Sequence, residues 1–238
     1  MKRRKLGQHY LVDQEVVRRI LEAAAVRSDE KVLEIGTGRG VLSKELARLG
    51  LSFEGYEIDR QNYDDTVATI GGTNAIVHLA DAFVHRPDFD VLVASLPYSR
   101  SATFVEWLSG LEYDRAVVLL QEDFVRKILS APGTRDYRAV SALAQISSGF
   151  RVLGRVGRNS FSPAPRVNSL LVLVTPRLRV SESEVSKIKR LFSLRRRQVE
   201  SALVMLGMES QSGVYGLRRV YSLTPEEVHR LCSPMPAE

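Results

Sequence analysis

Hydrophobic and polar positions along this chain switch repeatedly between a helical and an extended period. Over residues 12–25, Val16, Val17, Ile20, Leu21 and Ala24 recur at helical spacing, and Asp13 stands where an N-cap belongs. Apolar runs of strand length follow at 31–35, 52–58, 75–79, 90–94 and 115–120. Between them the spacing predicts helices over 41–49, 61–70 and 102–108, with Gly50 as C-cap of the first. Such alternation predicts an α/β fold: a doubly wound, mostly parallel, Rossmann-like sheet with helices on both faces. Residues 121–129 and 139–148 read as further helices, and 150–157 and 169–175 as closing strands, before Pro176 breaks the pattern. From Val180 onward only short helices are expected. One carries Val185, Ile188, Leu191 and Phe192 on its apolar stripe, another Val199, Ala202, Leu203 and Leu206, and Thr224, Pro225 and Glu227 mark a third helix start. Two domains follow from this: residues 1–177, and a small helical appendage over 178–238.

The first predicted strand runs into a glycine turn, VLEIGTGRGVLS over residues 32–43. Gly36, Gly38 and Gly40 permit a tight turn and keep side chains away from a ligand crossing the backbone. In open α/β sheets such a turn, at the carboxyl end of a strand, is where nucleotides bind. The first three strand tips are acidic: Glu34, Glu57 before Ile58, and Asp81 before Ala82. Glu57 lies 21 residues beyond Gly36, a spacing that suits a carboxylate accepting both hydroxyls of a ribose. A solvated acid ahead of a helix is the plain alternative. Neither the turn nor the tips carry a spare cation beyond Arg39. A dinucleotide's pyrophosphate would be repelled there, whereas the sulfonium and ammonium of S-adenosylmethionine would be attracted. The pattern G-x-G-x-G also differs from the G-x-G-x-x-G of NAD sites. The expected cofactor is therefore S-adenosylmethionine, and no metal site is expected.

Composition narrows the setting. Of the 238 residues 44% are hydrophobic, enough for a packed core. No apolar run approaches the roughly 18 residues that span a bilayer, and the basic start MKRRKLGQHY lacks the apolar segment of a secretory signal. Cys232, the single cysteine, fits a reducing cytosol, so a cytoplasmic protein without membrane contact is expected. The net charge of +6 is uneven: residues 177–238 hold 11 Lys and Arg against 7 Asp and Glu. A basic surplus suits an anionic partner such as RNA, although ordinary basic proteins share it. Arg195, Arg196 and Arg197 are read as part of a helix, over which they would fan by about 200°. They are either a solvated face or an RNA phosphate contact.

The fourth tip, Ser95-Leu96-Pro97-Tyr98, resembles the (Asn/Asp/Ser)-Pro/Leu-Pro-(Tyr/Phe) loop of amino methyltransferases acting on adenine. The exocyclic amine of adenine is a poor nucleophile. One side-chain oxygen and one backbone carbonyl would accept its two hydrogens and favour a more tetrahedral nitrogen, while an aromatic ring stacks on the extruded base. Across nearly its whole length the chain then resembles the small-subunit ribosomal RNA adenine dimethyltransferase family, whose relatives are the erythromycin-resistance large-subunit methyltransferases. The segments that carry the likeness are GQHYL at 7–11, EIGTGRGVLS at 34–43, the acids Glu57 and Asp81, the loop at 95–98, QEDFVRKILSAPGTRDY at 121–137, FSPAPRVNS at 161–169 and LFSLRRRQVESAL at 191–203.

The resemblance implies cofactor contacts from Gln8, His9, Leu11, Glu34, Gly36, Gly38, Glu57, Ile58, Asp81, Ala82 and Ser95. It implies catalytic roles for Ser95, Leu96, Pro97, Tyr98 and Phe161, the last stacking on the target base, and RNA contact from the three arginines. Small-subunit ribosomal RNA, or an assembly intermediate of it, is the implied partner, bound by a monomer. Three departures stand out: Ser95 where the family has Asn, His9 and Tyr10 where the lid has Asn and Phe, and Thr37 where the loop has Pro. Ser95 leaves open a non-catalytic assembly factor, and large-subunit RNA is the other alternative.

Overall fold

The computed structural model describes residues 9–208 and 215–233. Gln8, expected to touch the cofactor, and the basic cluster at residues 2–5 lie outside them. In chain order the elements are β1 (Tyr10–Leu11), α1 (Gln14–Ala24), β2 (Val32–Ile35), α2 (Val41–Arg48), β3 (Phe53–Glu57), α3 (Arg60–Thr69), β4 (Ile76–Leu79), β5 (Val91–Ser95), α4 (Ser101–Leu108), β6 (Arg115–Gln121), α5 (Glu122–Ile128), α6 (Ala139–Ser147), β7 (Ser148–Val156), β8 (Phe161–Ser162), β9 (Ser169–Pro176), α7 (Glu182–Ser193), α8 (Val199–Leu206) and α9 (Pro225–Cys232).

Seven strands form one sheet in the order β4-β3-β2-β5-β6-β9-β7. The pairs from β4 to β6 are parallel, and β9 runs antiparallel to β6. From β2 the chain moves outward to β3 and β4, then returns to place β5 on the other side of β2. That reversal is a topological switch point, where the crossovers diverge and a crevice opens at the carboxyl ends of the strands. The centre of the sheet is apolar on both faces: Val91, Leu92, Val93 and Ala94 are all fully buried. Val16, Val17 and Ile20 of α1 and Leu42 and Leu46 of α2 join Val32, Val91, Val93, Val117 and Leu119 in a single core cluster. Asp13 caps α1 by accepting from the N–H groups of Glu15 and Val16 at 3.0 and 3.4 Å. At the end of α2, Leu49 is the C-cap and Gly50 follows it in the left-handed region (φ 71°), one position from the cap expected of Gly50.

One pairing has no local sequence signal. β1 joins β8 in a separate antiparallel ribbon, with Tyr10 opposite Ser162 and Leu11 opposite Phe161. The chain divides into two compact units. The first takes the described residues of Met1–Phe104, Leu111–Glu122 and Phe150–Pro176, and the second those of Val105–Gly110, Asp123–Gly149 and Arg177–Glu238. The second unit thus draws in segments well before residue 178, because α6 packs with α7 and α9.

Candidate functional site

An open cavity of about 180 Å³ lies in the first unit at the switch point. Its floor is the turn after β2. Gly36 donates its N–H to the Tyr56 carbonyl at 2.9 Å and has φ 73°; a Cβ there would project with nothing within 4 Å. At Gly40 (φ 75°) a Cβ would stand 3.3 Å from the Thr66 backbone, so the turn can press against α3 only without a side chain. Thr66 holds the turn from that side, its hydroxyl donating to the Gly38 carbonyl at 3.1 Å.

The acids differ in how they are held. Glu34 is 2% exposed and accepts from the Ser43 hydroxyl at 2.6 Å. Burial pushes its carboxyl up to about 7, against the lowering effect of that hydrogen bond, and the nearby charge of Glu57 adds to the rise. Glu57 accepts three backbone N–H groups: Ile58 and Asp59 on Oε1, both at 2.9 Å, and Gly38 on Oε2 at 2.8 Å. Burial still holds its carboxyl above the ordinary value. These bonds fix the Glu57 carboxylate in place beside the glycine turn. Asp81 accepts from the Phe83 N–H at 3.0 Å and from Arg100 Nη2 at 2.6 Å. Arg100 also lies over the Phe83 ring, 4.8 Å from its centroid. The tips therefore do carry a second cation, hidden from sequence because Arg100 belongs to the loop after β5. Arg39 is not spare either: its guanidinium lies 4.5 Å over the Tyr10 ring.

The opposite wall comes from the end of β5. Ser95 and Pro97 are part-exposed and Leu96 is buried. The Pro97 carbonyl accepts from Arg100 N–H at 2.9 Å, closing a short 3₁₀ turn. The Tyr98 hydroxyl is paired with the Ser169 hydroxyl at 2.8 Å, and its ring is 5.6 Å from that of His9. His9 Nδ1 donates to the Pro163 carbonyl at 2.7 Å; a carbonyl only accepts, so Nδ1 carries the proton. Phe161 borders the cavity but is only 5% exposed, because β8 sets it against Leu11. It offers a base little face as it stands, whereas Tyr98 and His9 offer more.

His9, Leu11, Glu34, Gly36, Gly38, Glu57, Ile58, Asp81, Ala82, Ser95, Leu96, Pro97, Tyr98 and Phe161 all line this one cavity. Asn62 and Arg100, which no sequence motif marks, line it too, as does Arg39. Asn62 gives no signal because a polar residue in the first turn of a helix reads as solvated. The residues fit a cationic nucleoside: a glycine turn that leaves open space at Gly36, and two buried acids, Glu34 and Glu57.

In the second unit the three arginines are not on a helix. α7 ends at Ser193 and α8 begins at Val199, and Arg195, Arg196 and Arg197 form the turn between them, closed by Arg197 N–H on the Leu194 carbonyl at 2.8 Å. Leu194 leaves helical geometry as the C-cap of α7, and Gln198 opens α8 in an extended conformation, which the run of helix formers in sequence conceals. Arg195 is part-buried: its Nη2 donates to the Arg135 carbonyl at 3.0 Å and its guanidinium lies 5.4 Å from the Tyr221 ring centroid. Burial, with Arg138 and Arg196 nearby, lowers its pKa from the usual arginine value. Arg196 and Arg197 are exposed.

Among the described residues no helix is long and apolar enough to cross a membrane. Residues 1–233 match the family described as ribosomal RNA adenine dimethylase. A relative from Pyrococcus abyssi, named "Probable ribosomal RNA small subunit methyltransferase A", is 33% identical over 240 residues, covering 95% of this chain and 89% of that protein. One of the same name from Methanopyrus kandleri is 30% identical over 95% of this chain and 84% of its own length. Among solved structures, a dimethyladenosine transferase from Plasmodium falciparum superposes with a TM-score of 0.77 at 22% identity, over 94% of this chain and 96% of that one. The 23S rRNA methyltransferase ErmE gives 0.64 at 24%, over 93% and 97%. At those identities the structures speak for the fold alone. The family match and the relatives speak for descent: the chain belongs to the ribosomal RNA adenine dimethylase family, enzymes that methylate adenine in ribosomal RNA.

Proposed function

We infer that this chain transfers methyl groups from S-adenosylmethionine to the exocyclic amine of adenine in small-subunit ribosomal RNA, dimethylating adjacent adenosines during ribosome assembly. The observation that carries this is the shared cavity: the glycine turn with its acids and the loop of Ser95, Leu96, Pro97 and Tyr98 face the same space. The cofactor, when bound, supplies an electrophilic methyl group on a sulfonium. Gly36 and Gly38 would leave room for it, Glu34 would attract its positive charge, Glu57 would accept from its ribose, and Ile58, Asp81 and Ala82 would hold its adenine. Leu11 and His9 close the near side.

Ser95 Oγ accepts one hydrogen of the target amine. The Pro97 carbonyl is already engaged by Arg100, so the Leu96 carbonyl is assigned the other. Tyr98, its hydroxyl held by Ser169, stacks on the extruded base, and Phe161 supports the stack from behind. Catalysis is then positioning plus hydrogen bonds that strengthen as the nitrogen becomes tetrahedral. Arg196 and Arg197 contact RNA phosphate, and Arg195 shapes the turn that presents them. In this reading residues 1–177 hold the methyl-transfer machinery, 178–238 help hold RNA, and the protein works in the cytoplasm as a monomer.

The test is transfer of labelled methyl groups to isolated small and large ribosomal subunits lacking the modification. Label entering small subunits supports the reading. Cofactor binding without transfer, or label entering large subunits alone, overturns it.

A further inference from the structure

Three segments of the second unit are tied together: the loop 132–138, the arginine turn 195–197 and the stretch 219–221. Tyr221 N–H donates to the Arg195 carbonyl at 3.0 Å, Arg219 Nη1 to the Arg196 carbonyl at 2.6 Å and Val220 N–H to the Arg197 carbonyl at 3.1 Å. Gly133 N–H donates to the Tyr221 carbonyl at 2.8 Å, and Arg195 Nη2 to the Arg135 carbonyl at 3.0 Å. All three carbonyls of the turn thus serve to hold the segments in one piece.

Their side chains carry one sign of charge. The three segments contain six arginines and one acid, Asp136. Arg135, Arg196, Arg197 and Arg219 are exposed, and none of the four forms an ion pair with a described residue. Glu227 of α9 is already engaged by Arg218, at 2.6 and 2.7 Å. Crowded like charges repel one another, and an anion laid across them removes that cost. The rings of these segments are not free to take a base. Tyr137 is fully buried, 5.5 Å from the Phe192 ring, and the Arg195 guanidinium already lies over Tyr221. Single-stranded RNA is held largely by stacking on open aromatic rings, whereas a duplex offers phosphates and 2′-hydroxyls.

We propose that these three segments form one docking surface for the backbone of duplex RNA, in which Arg135 and Arg219 bind phosphate alongside Arg196 and Arg197. The proposal rests on the reading of the chain as acting on ribosomal RNA and goes beyond it, adding two segments and the helical form of the RNA. Such contact sets affinity and orientation without reading sequence.

The test is a fluorescence-anisotropy titration of the full chain, at several salt concentrations, with a mixed-sequence RNA duplex and with a single strand of equal length. The variants are Arg135→Ala, Arg219→Ala, Arg135→Lys and, as a control for net charge, Arg18→Ala on α1; thermal unfolding of each is measured alongside. Wild type should bind the duplex more tightly than the single strand. Arg135→Ala and Arg219→Ala should each weaken duplex binding about fivefold and lower its salt slope by about one log unit. Arg135→Lys, which keeps the charge, should restore the slope, and Arg18→Ala should change neither quantity. The Arg135 side chain bonds to no described residue, so Arg135→Ala should melt with wild type and its loss of binding reports contact rather than folding. Unchanged affinity and slope in Arg135→Ala or Arg219→Ala, or an equal loss in Arg18→Ala, overturns the proposal alone. So does tighter binding of the single strand. Wild type that binds neither RNA overturns it together with the ribosomal RNA reading.

Discussion

The cavity of the first unit and the arginine turn of the second invert each other's relation to sequence. In the cavity, residues as distant as His9 and Phe161 meet, and strand tips from separate βα units share one wall. In the turn, three identical neighbours part company: Arg195 is tied to the Arg135 carbonyl and the Tyr221 ring, while Arg196 and Arg197 stand in solvent. The parallel strands explain the shared tips, since their β-to-α loops emerge at the same edge, and the antiparallel β1–β8 ribbon brings the segment after His9 to Phe161. The helix break explains the parted arginines, since a turn redirects successive side chains. Glu34 and Glu57, buried in the cavity, have fixed partners and high stakes; Arg196 and Arg197, exposed in the turn, contribute little to stability.

The largest effect should come from Glu57→Ala. Three backbone N–H groups lose their acceptor, so unfolding free energy should fall by roughly 3 kcal/mol, and S-adenosylhomocysteine affinity should drop on the order of a hundredfold. Chemical denaturation and calorimetry check both, and a variant as stable as wild type would erase the contrast with the turn.

Glu34 gives a pH signature. Its folded pKa, about 7, is raised above the ordinary carboxyl value of 4.5. Its contribution is intact below pH 4.5, declines as pH rises through about 7 and is flat beyond. Ionised Glu34 should therefore cost up to about 3 kcal/mol at about pH 8. Glu34→Gln should gain stability relative to wild type as pH rises from 4.5 through about 7, and match it at the acid end. A difference that does not vary with pH would show that Glu34 titrates normally.

Smaller effects should separate the arginines. Arg195→Ala should cost about 1–2 kcal/mol through the loss of its backbone bonds and stacking, whereas Arg196→Ala and Arg197→Ala should stay within about 0.5 kcal/mol. The latter pair should instead weaken RNA binding and flatten its salt dependence by up to about one log unit for each phosphate no longer neutralised. A salt slope unchanged by both substitutions would return them to a solvated face. Smallest of all, Ser95→Asn should keep or raise dimethyladenosine yield; a tenfold drop would mean that the shorter Ser95 side chain is fitted to this loop.

What sequence makes legible follows from the range of the interactions. The order of strands and helices, the glycine turn and the acidic tips rest on spacing within some twenty residues, and they appear where spacing puts them. The ribbon of β1 with β8, the Arg100–Asp81 pair and the capture of Glu57 by the Gly38 N–H depend on three-dimensional proximity and leave no local pattern.

The central claim is that one cavity brings a methyl donor to the amine of adenine. Its most direct test is mass analysis of nucleosides digested from small-subunit RNA after reaction with labelled cofactor. Label in adenosine methylated on the exocyclic nitrogen, mainly as the dimethylated form, is the predicted result; label confined to cytosine, uracil or ribose would contradict it.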